Sequence, residues 1–484
     1  MPVQMPDINL VAMLPEIVLS LLGLVLLLMS AWGDENRGGR ISTLAMVGLV
    51  VAALITVGGK DGTGFGSHFI NDAFARSMKL LMYLSTGLVL FMSADYMKKH
   101  RIDGGEYQVL TLMAMLGGML MASAGDFIIL YLGLELMSLS IYVLAAMQRD
   151  ELRSNEAGLK YFVLGSMASG FLLYGISLIY GLTGTTAYTG VAAALDPAHG
   201  GHFGSALMLA VVMVMAGMSF KIAAAPFHMW APDVYEGAPT SVTAFMAVLP
   251  KVAAFAGIFR VLLIAFPSLH SQWIPLVQLL AVFSMAVGAF AAIAQTNIKR
   301  MLAYSSIGHV GYILLGLAAN SVAGYQSVVT YLAIYIFTSV GAFAIILLLN
   351  VSGIGDETAD YKGLAHKRPL LAFLMALFMF SMAGIPPLAG FIGKLYVFLA
   401  AIQSGMLGIA IVGVLFSAVG AFYYLRIVKF MYFDPASEAE TFGMAVGVPM
   451  RALLTVTGVI ILVWGVFPES LLKWTATSVK TFSM

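Results

Sequence analysis

Long apolar stretches dominate the sequence and restrict it to a small set of folds. About fourteen runs of near twenty residues follow one another, separated by short polar breaks. A helix of about 20 apolar residues crosses the hydrocarbon layer of a bilayer, which is about 30 Å thick. Only 10% of the 484 residues are charged, against about 25% in a typical soluble domain. We therefore predict an all-α polytopic membrane protein.

The predicted spans divide the chain into four regions. The approximate spans are 8–31, 41–57, 74–97, 108–124, 127–147, 157–182, 205–225, 239–265, 272–295, 301–319, 325–350, 370–400, 404–430 and 450–472. The regions are an N-terminal unit (1–107, spans one to three), a first repeat (108–265, spans four to eight), a second repeat (272–430, spans nine to thirteen) and a C-terminal helix (450–484). Each repeat is predicted to contain five helices.

Basic residues indicate the orientation of the spans. Fifteen of the 25 lysines and arginines lie in or beside loops that follow odd-numbered spans, including Arg37 and Arg101, and three lie beside even-numbered loops. Cytoplasmic loops carry the excess of positive charge in most membrane proteins. The odd loops are therefore expected to face the cytoplasm, which places both chain termini on the periplasmic side.

Composition excludes several classes of function. The net charge is +1 and there is no cysteine. A basic surface for nucleic acid is therefore not expected, and neither is a thiolate-bound iron–sulfur centre or a disulfide. The glycine-rich stretch GTGFG at 62–66 has no strand–helix context, so we interpret it as a turn and not as a phosphate-binding loop.

Five titratable residues are predicted near the middle of spans: Glu135, Lys221, Lys251, His309 and Lys394. Lys251, for example, lies about 18 Å into a hydrocarbon layer of about 30 Å. Such a charge costs at least about 2.5–3.5 kcal/mol, so it usually marks a function. The alternative is that these groups pair with one another and only hold helices together. Lys160 and Arg260 lie nearer span ends, where snorkelling to the interface is the simpler interpretation.

The spacing of these residues predicts an inverted repeat. Glu135 and Lys221 are 86 residues apart, and His309 and Lys394 are 85 apart. These pairs fall on spans five and seven and on spans ten and twelve, so a shift of five spans relates them. Because five is odd, the two copies cross the membrane in opposite directions, as in many secondary transporters.

Prolines beside the lysines predict interrupted helices. Pro226 follows Lys221, Pro250 directly precedes Lys251, and Pro386–Pro387 precede Lys394. Proline removes a backbone hydrogen bond and kinks or breaks a helix, and a break in a membrane needs protein or water to satisfy the freed carbonyls. We predict broken helices at spans seven and twelve, with small hydrated cavities beside the lysines.

Together these features predict a proton relay. Burial disfavours the charged form of a lysine and a nearby carboxylate favours it, so a lysine whose carboxylate partner moves can take up and release a proton. Glu135 is the candidate modulator of Lys221, and Lys251, His309 and Lys394 are the candidate next stations. Moving one proton against 100 mV requires about 2.3 kcal/mol, and no group in this sequence supplies that energy.

Several long motifs resemble one protein family. They are LGLELMSLSIYVL (132–144), KIAAAPFHMWAPDVYEGAPTSVTAFMA (221–247), NIKRMLAYSSIGHVGY (297–312) and MAGIPPLAGFIGKLYVF (382–398). The chain resembles the antiporter-like membrane subunits of proton-pumping NADH:quinone oxidoreductase, respiratory complex I. The form PDVYEGAPT and the lysine at 394, where a sister branch has glutamate, favour one branch of that family.

The resemblance carries roles to individual residues. The span-five glutamate of the family matches Glu135, and its lysines on spans seven and eight match Lys221 and Lys251. The span-ten histidine matches His309, and the charged residue on span twelve matches Lys394. The family also has a lysine on span six, which matches Lys160 and makes it a possible member of the path.

The resemblance also implies what lies outside this chain. Flavin, iron–sulfur clusters and the quinone site are expected in partner subunits, with no cofactor or metal here. The expected partners are other complex I membrane subunits, namely a neighbouring antiporter-like subunit and small membrane subunits, in a bacterial or mitochondrial inner membrane. The alternatives are a Mrp-type cation/proton antiporter subunit, the membrane arm of a related hydrogenase, and a scaffold that transports nothing.

Overall fold

The computed structural model describes residues 8–32, 37–100, 102, 105–196, 204–435 and 446–482. Within these ranges the chain forms nineteen α-helices and one two-stranded antiparallel sheet. Arg101, the side chain of Arg37 and both chain ends, on which the predicted orientation depends in part, lie outside the described residues. The predicted all-α class is confirmed in all but the short sheet.

The helices follow the predicted spans closely. They are α1 (Leu14–Trp32), α2 (Arg37–Gly58), α3 (Ala73–Lys99), α4 (Glu106–Ser123), α5 (Phe127–Ala145), α6 (Leu152–Thr183), α7 (Tyr188–Ala194), α8 (Gly204–Ile222), α9 (Trp230–Gly237), α10 (Thr240–Arg260), α11 (His270–Ile293), α12 (Ile298–Ala318), α13 (Val322–Val351), α14 (Leu364–Lys367), α15 (Pro369–Ala383), α16 (Ala389–Gln403), α17 (Leu407–Phe433), α18 (Val448–Val466) and α19 (Glu469–Ser478). A π-helical turn, Val261–Ala265, extends α10.

Twelve helices of the described residues are long and apolar enough to cross a membrane. The predicted number of fourteen is reached with α4 and with the shorter apolar helices α15 and α16, which together make one interrupted crossing. The interruptions predicted in spans seven and twelve are present, between α8 and α9 and between α15 and α16.

Three local predictions were wrong. The stretch interpreted as a turn includes a strand, β1 (Gly62–Gly64), which pairs with β2 (Phe69–Asn71). The segment 183–204, which the predicted spans six and seven leave as a loop, contains α7. Span fourteen was predicted to reach residue 472, but α18 ends at Val466 and α19 starts after Pro468, because proline disfavours helical geometry in the preceding residue.

Loops of the same parity gather at the same end of the helix bundle. At the even end, isolated bridges join Phe69 to Ala124 and Asp126 to Ala187. At the odd end, Asn297 bridges to Glu357. Consecutive spans therefore alternate in direction, as the predicted topology requires. Which end faces the cytoplasm remains an expectation from the charge distribution.

Helices of both predicted repeats form the centre of the molecule. We compared the most apolar stretch of each helix. In α12 and α13, 94% of the residues of this stretch are buried, and in α10 with its π-helical extension 89% are buried. In α1 and α2 the share is 33%. The two buried helices α10 and α12 carry Lys251 and His309. The centre of the fold is therefore the place where these two side chains lie.

Glycine pairs close one helix hairpin in each repeat. A Cβ on Gly117 of α4 would lie 2.4 Å from the carbonyl oxygen of Gly133 on α5, and a Cβ on Gly288 of α11 would lie 2.4 Å from the nitrogen of Gly308 on α12. Small residues at such contacts let membrane helices approach closely. The two hairpins are related by the predicted shift of five spans.

An arginine at the end of the last helix of each repeat makes a second correspondence. Arg260 on α10 donates to the carbonyl of Ala122, near the end of α4, at 3.0 Å. Arg426 on α17 donates to the carbonyl of Ile293, at the end of α11, at 2.7 Å. Each arginine thus fastens the eighth or thirteenth span to the first hairpin of its own repeat. The boundaries of the four regions stay a prediction.

Candidate functional site

The predicted relay residues differ in how deeply they are buried. Lys221, Lys251, His309 and Lys394 expose between 2% and 7% of their surface. Glu135 is partly buried. The Lys160 side chain is 42% exposed, so it differs in burial from the three other lysines.

Lys221, on the last turn of α8, is held by hydroxyl groups of α5. Its Nζ donates to Ser138 Oγ at 2.8 Å and to Tyr142 Oη at 3.0 Å. These residues lie three and seven positions after Glu135, hence near the same helix face. Glu135 forms no ion pair with Lys221, and its buried Oε1 has no hydrogen-bond partner among the described residues. The direct partners of the lysine are thus Ser138 and Tyr142 and not the predicted modulator, Glu135.

The break after Lys221 is satisfied by protein groups. At its start, Ala223 has a φ of 57°, which is uncommon for a residue with a Cβ. The carbonyl of Phe220 accepts a hydrogen bond from Trp230 Nε1 at 2.9 Å. The amide of Ala225 donates to Ser284 Oγ, on α11 of the second repeat, at 2.9 Å. The interruption therefore joins the two repeats.

Lys251 lies in a helix that continues through its neighbouring proline. Pro250 cannot donate to the carbonyl of Met246, and Tyr235 Oη donates there instead at 3.2 Å. Lys251 Nζ donates to the same Tyr235 hydroxyl at 2.8 Å and to the carbonyl of Ala247 at 3.0 Å. The predicted kink or break at Pro250 does not interrupt α10, because a tyrosine side chain replaces the lost backbone donor.

His309 is bound on both sides of its ring. Its Nδ1 lies 2.7 Å from Tyr331 Oη, and its Nε2 lies 3.1 Å from Tyr424 Oη. Because a neutral imidazole has one donor and one acceptor nitrogen, the two tyrosines can serve either tautomer. Tyr424 also bonds to Ser305.

Lys394 is placed by the second helix break. Its Nζ donates to the carbonyl of Ala383, the last residue of α15, at 2.8 Å and to Ser417 Oγ at 2.7 Å. Gly384 follows with a φ of 86°, and a Cβ there would meet the Lys394 side chain at 2.8 Å. The site therefore requires glycine for two independent reasons.

A small cavity joins His309 to Lys394. Both residues line a space of about 10 Å³, together with Ser417 and Tyr424. A cavity of about 10–15 Å³ on this measure holds one water molecule when polar partners surround it. These two groups can thus be linked by a single water.

Aromatic side chains, mostly tyrosines, lie between the stations, and the sequence analysis did not identify them as part of the site. Tyr335 lies between two stations, since Lys251 Nζ is 6.0 Å from its ring centre and the His309 ring is 5.2 Å from it. Between Lys221 and Lys251 the rings of Tyr142, Tyr161, Trp230 and Tyr235 follow one another at centre distances of 4.2–6.2 Å. The motif APDVYEG contains Tyr235, and its position in a charged, proline-bounded segment was the available signal.

Lys160 belongs to a charged cleft at the odd end. Its Nζ lies 2.8 Å from Glu156 and 2.9 Å from Asp233, while Arg300 contacts Asp233 and Glu236. The cleft has a volume of about 230 Å³. Asp233 is on α9 two positions before Tyr235, so one short helix faces both the cleft and Lys251.

Arg260 does not snorkel. It is fully buried and binds Asp72, at the start of α3, through two nitrogens at 2.6 and 2.8 Å. The snorkelling interpretation fails because the N-terminal unit covers this end of α10. Sequence position along a span cannot reveal such a cover.

Comparisons with known proteins identify the family. A family model described as NADH:quinone oxidoreductase/Mrp antiporter, TM, matches residues 124–420. NADH-quinone oxidoreductase subunit N of Magnetococcus marinus is 58% identical over 99% of this chain and 100% of its own length. The subunit N of Paramagnetospirillum magneticum is 50% identical over 96% of each chain.

The chain belongs to the NADH-quinone oxidoreductase subunit N family. A chain in the structure of respiratory complex I from Thermus thermophilus with bound aureothin has 32% sequence identity and a TM-score of 0.79, covering 96% of this chain and 99% of that one. A chain of the Mrp complex from Dietzia sp. reaches a TM-score of 0.85 at 21% identity, covering 98% of each chain. That second likeness shows a shared fold alone.

Subunit N membership confirms the branch that Lys394 and the PDVYEGAPT motif predict. Among the described residues, no group of three or more His, Asp or Glu side chains could hold a metal ion. The assignment of flavin, iron–sulfur clusters and quinone to other subunits stays a prediction, and so does the role of each relay residue.

Proposed function

We propose that this chain is a proton-pumping membrane subunit of NADH:quinone oxidoreductase and that Glu135, Lys221, Lys251, His309 and Lys394 carry the protons. The observation that supports this most is the series of four buried titratable groups, each hydrogen-bonded to a hydroxyl group. Hydroxyls both donate and accept hydrogen bonds. They can therefore receive a proton on one side and release one on the other.

The order of the stations follows their contacts. Lys221 and Lys251 are separated by the aromatic series that ends at Tyr235, Lys251 and His309 by Tyr335, and His309 and Lys394 by the one-water cavity. A purely structural set of ion pairs would join acids to bases directly. Here the four buried groups bind hydroxyls and carbonyls, which favours the relay over the helix-gluing alternative.

The charged cleft is the proposed odd-end access to the relay. Protonation or loss of the Asp233 ion pairs would free α9, which holds Tyr235 against Lys251. Burial alone raises the pKa of Asp233, but hydrogen bonds from Lys160 and Arg300 lower it below its ordinary value. Lys160 is thus assigned to the access region and not to the buried path.

Localisation and partners complete the proposal. The excess of basic residues at the odd end supports an orientation with this end in the cytoplasm of a bacterial cell and with both termini on the periplasmic side. Neighbouring antiporter-like and small membrane subunits would flank the chain, and quinone reduction in other subunits would supply the energy. Flavin and iron–sulfur clusters would reside in those partners.

Single substitutions in the assembled complex test the relay. We expect Lys221→Ala or Glu135→Ala to lower proton pumping coupled to NADH oxidation by about tenfold, which corresponds to about 1.4 kcal/mol in the barrier. The measurement is dye-detected acidification of vesicles that contain the purified complex, normalised to the amount of assembled enzyme. Full pumping by both variants would refute the relay.

Two controls separate the relay from a scaffold. Lys473→Ala removes an exposed lysine of α19 and should leave pumping unchanged. Lys221→Arg keeps a positive charge that does not dissociate at physiological pH, so it should preserve assembly and still impair pumping. If Lys221→Arg pumped normally and Lys221→Ala only reduced the amount of complex, a scaffold would explain the data better.

A further inference from the structure

A second set of buried charges lies in the N-terminal unit, apart from the relay. Glu16 on α1 and Lys79 on α3 form an ion pair at 2.6 Å, and they expose 2% and 0% of their surface. Besides Glu16, the charged groups that act on Lys79 are Asp72 and Arg260, and no relay residue is among them. The proposed path of protons through the chain therefore gives this pair no role.

The pair lacks the hydrogen bonds that normally accompany a buried ion pair. Although the two groups are in contact, neither oxygen of Glu16 nor the Nζ of Lys79 has a hydrogen-bond partner among the described residues. The removal of two charges from water is repaid only when the geometry is good and further hydrogen bonds satisfy both groups. The contact between Glu16 and Lys79 thus contributes little to stability.

A neighbouring ion pair on the same helix is fully hydrogen-bonded. Asp72 accepts two hydrogen bonds from Arg260, at 2.6 and 2.8 Å, and a third from the amide of Ala75 at 2.8 Å. Arg260 also donates to the carbonyl of Ala122 at 3.0 Å. Three donors therefore hold the Asp72 carboxylate in its charged form. Glu16 has no such donors, so its charged form is poorly stabilised.

A stripe of polar residues connects the buried pair to the even end. Its members share one face of α3 because they follow one another at intervals of three or four residues: Asp72, Arg76, Lys79 and Tyr83. Arg76 pairs with Asp61 at 2.6 Å, and the Asp61 side chain is 71% exposed. The stripe therefore leads from an exposed carboxylate at the even end to the buried pair.

Two hydroxyl groups lie close to the pair. Tyr83 is one turn beyond Lys79, and its Oη is 3.1 Å from Oγ1 of Thr56 on α2. Glu16 acts electrostatically on Tyr83, so this hydroxyl lies near the carboxylate. Because a hydroxyl both donates and accepts hydrogen bonds, it can serve the Glu16 carboxyl in either protonation state.

We propose that Glu16 and Lys79 form a proton-binding site that exchanges with the even side. One proton from water at that end binds a carboxylate oxygen of Glu16, which becomes a neutral carboxylic acid, while Lys79 remains an ammonium. The Nζ of Lys79 lies 5.0 Å from the ring centre of Phe69, and an aromatic face attracts a cation. The lysine thus keeps its charge, and the pair changes from neutral to positive.

Infrared difference spectra of the purified, assembled complex test the site. The spectra are recorded while the pH of the medium is lowered, and the carbonyl stretch of a protonated, buried carboxyl is followed. We expect the wild type to develop a band that is lost in Glu16→Gln. Glu469→Gln changes an exposed carboxylate of α19 and should leave this band unchanged.

A lysine variant tests whether the band belongs to the pair. Lys79→Met removes the positive charge that favours the Glu16 carboxylate. A nearby opposite charge shifts the protonation of a carboxyl by about one to three pH units, so the band should appear at a pH that is higher by about that amount. Lys473→Met removes an exposed lysine of α19 and should not move the band.

A double variant separates proton binding from a structural role. Glu16→Leu combined with Lys79→Met replaces the pair by apolar side chains of similar size, which is often neutral or stabilising. We expect the double variant to assemble in normal amounts and to show no band.

Three results would overturn the proposal. One is identical spectra of wild type and Glu16→Gln at every pH at which the complex stays assembled. Another is a band that Lys79→Met leaves at the same pH. The third is failure of the double variant to assemble, which would assign the pair to the fold.

Discussion

The two repeats share a plan but hold their lysines differently. In both, a glycine pair closes the first helix hairpin, an arginine fastens the last helix to it, and the interrupted helix carries a buried lysine. Lys221 precedes its break and binds two hydroxyls of α5. Lys394 follows its break and binds the carbonyl at the end of α15.

This difference indicates that one lysine also stabilises the fold and that the other does not. The carbonyl of Ala383 belongs to a helix end, which lacks backbone partners within the helix, so Lys394 also stabilises the fold there. Lys221 replaces no backbone donor, because Trp230 serves the corresponding break. A common architecture has thus acquired two lysine sites that should respond differently to the same substitution.

The largest contrast is expected between the two arginines. Arg260→Met would leave the Asp72 carboxylate buried without its partner and should cost about 3–5 kcal/mol. Arg426→Met removes only donors to the carbonyls of Ile293 and Gln295 and should cost about 1–3 kcal/mol. Thermal unfolding of the purified complex and the yield of assembled enzyme measure the difference. Equal losses would show that Asp72 adds nothing to the first repeat.

The stabilisation that the Asp72–Arg260 ion pair contributes depends on pH. Burial alone raises the pKa of Asp72, but the Arg260 guanidinium lowers it below its ordinary value of 3.8. The pair therefore stabilises the protein fully above that value, and this contribution is lost as the pH falls through the lower pKa of the folded state. Wild type and Arg260→Met should thus converge in stability towards acid pH. A constant difference across pH would contradict the assignment.

A smaller contrast is expected between the two lysines. Lys394→Met leaves the buried carbonyl of Ala383 without its side-chain donor and should lower stability by about 1–3 kcal/mol. Lys221→Met should cost less, because Ser138 retains its bond to the carbonyl of Leu134. Unfolding midpoints of the two purified variants give the comparison. A greater loss in Lys221→Met would mean that the first break depends on its lysine after all.

Much of this architecture could be predicted from the sequence. The spans, their alternation and the two interrupted helices follow from apolar length and proline position, which are local properties. The buried ion pair between Glu16 and Lys79, at 2.6 Å, could not be predicted, since the two residues lie on spans one and three and no spacing rule relates them. Tertiary packing, in which α1 contacts α4 and α4 contacts α3, brings these two side chains together, and no local pattern in the sequence reveals it.

The sequence predicts the charged members of the proposed relay but not its tyrosines. Charged residues in apolar runs are conspicuous, so Glu135, the three lysines and His309 could be found in the sequence. Tyrosines are common in membrane helices, so Tyr331 and Tyr335 could not be distinguished from interfacial or packing residues, and only the charged, proline-bounded segment around Tyr235 offered a signal. Their role depends on which ring faces which lysine, and the folded chain alone determines that.

The smallest expected effects come from single hydroxyl groups. Tyr142→Phe and Tyr331→Phe remove one partner each from Lys221 and His309 while keeping the ring. A typical hydrogen bond contributes about 1 kcal/mol, so each variant should slow proton pumping about fivefold. Tyr180→Phe, at a residue that is 55% exposed, is the matched control.

A double substitution makes this comparison sharper. Tyr142→Phe should add nothing in a Lys221→Ala background, because the hydroxyl then has no lysine to serve, and coupled residues are not additive. Tyr331→Phe acts at His309 in the other repeat, so its own effect should remain visible against Lys221→Ala wherever residual pumping can be measured. If Tyr142→Phe lowered pumping equally with and without Lys221, its hydroxyl would act outside the relay, and the first site would consist of the lysine and Ser138.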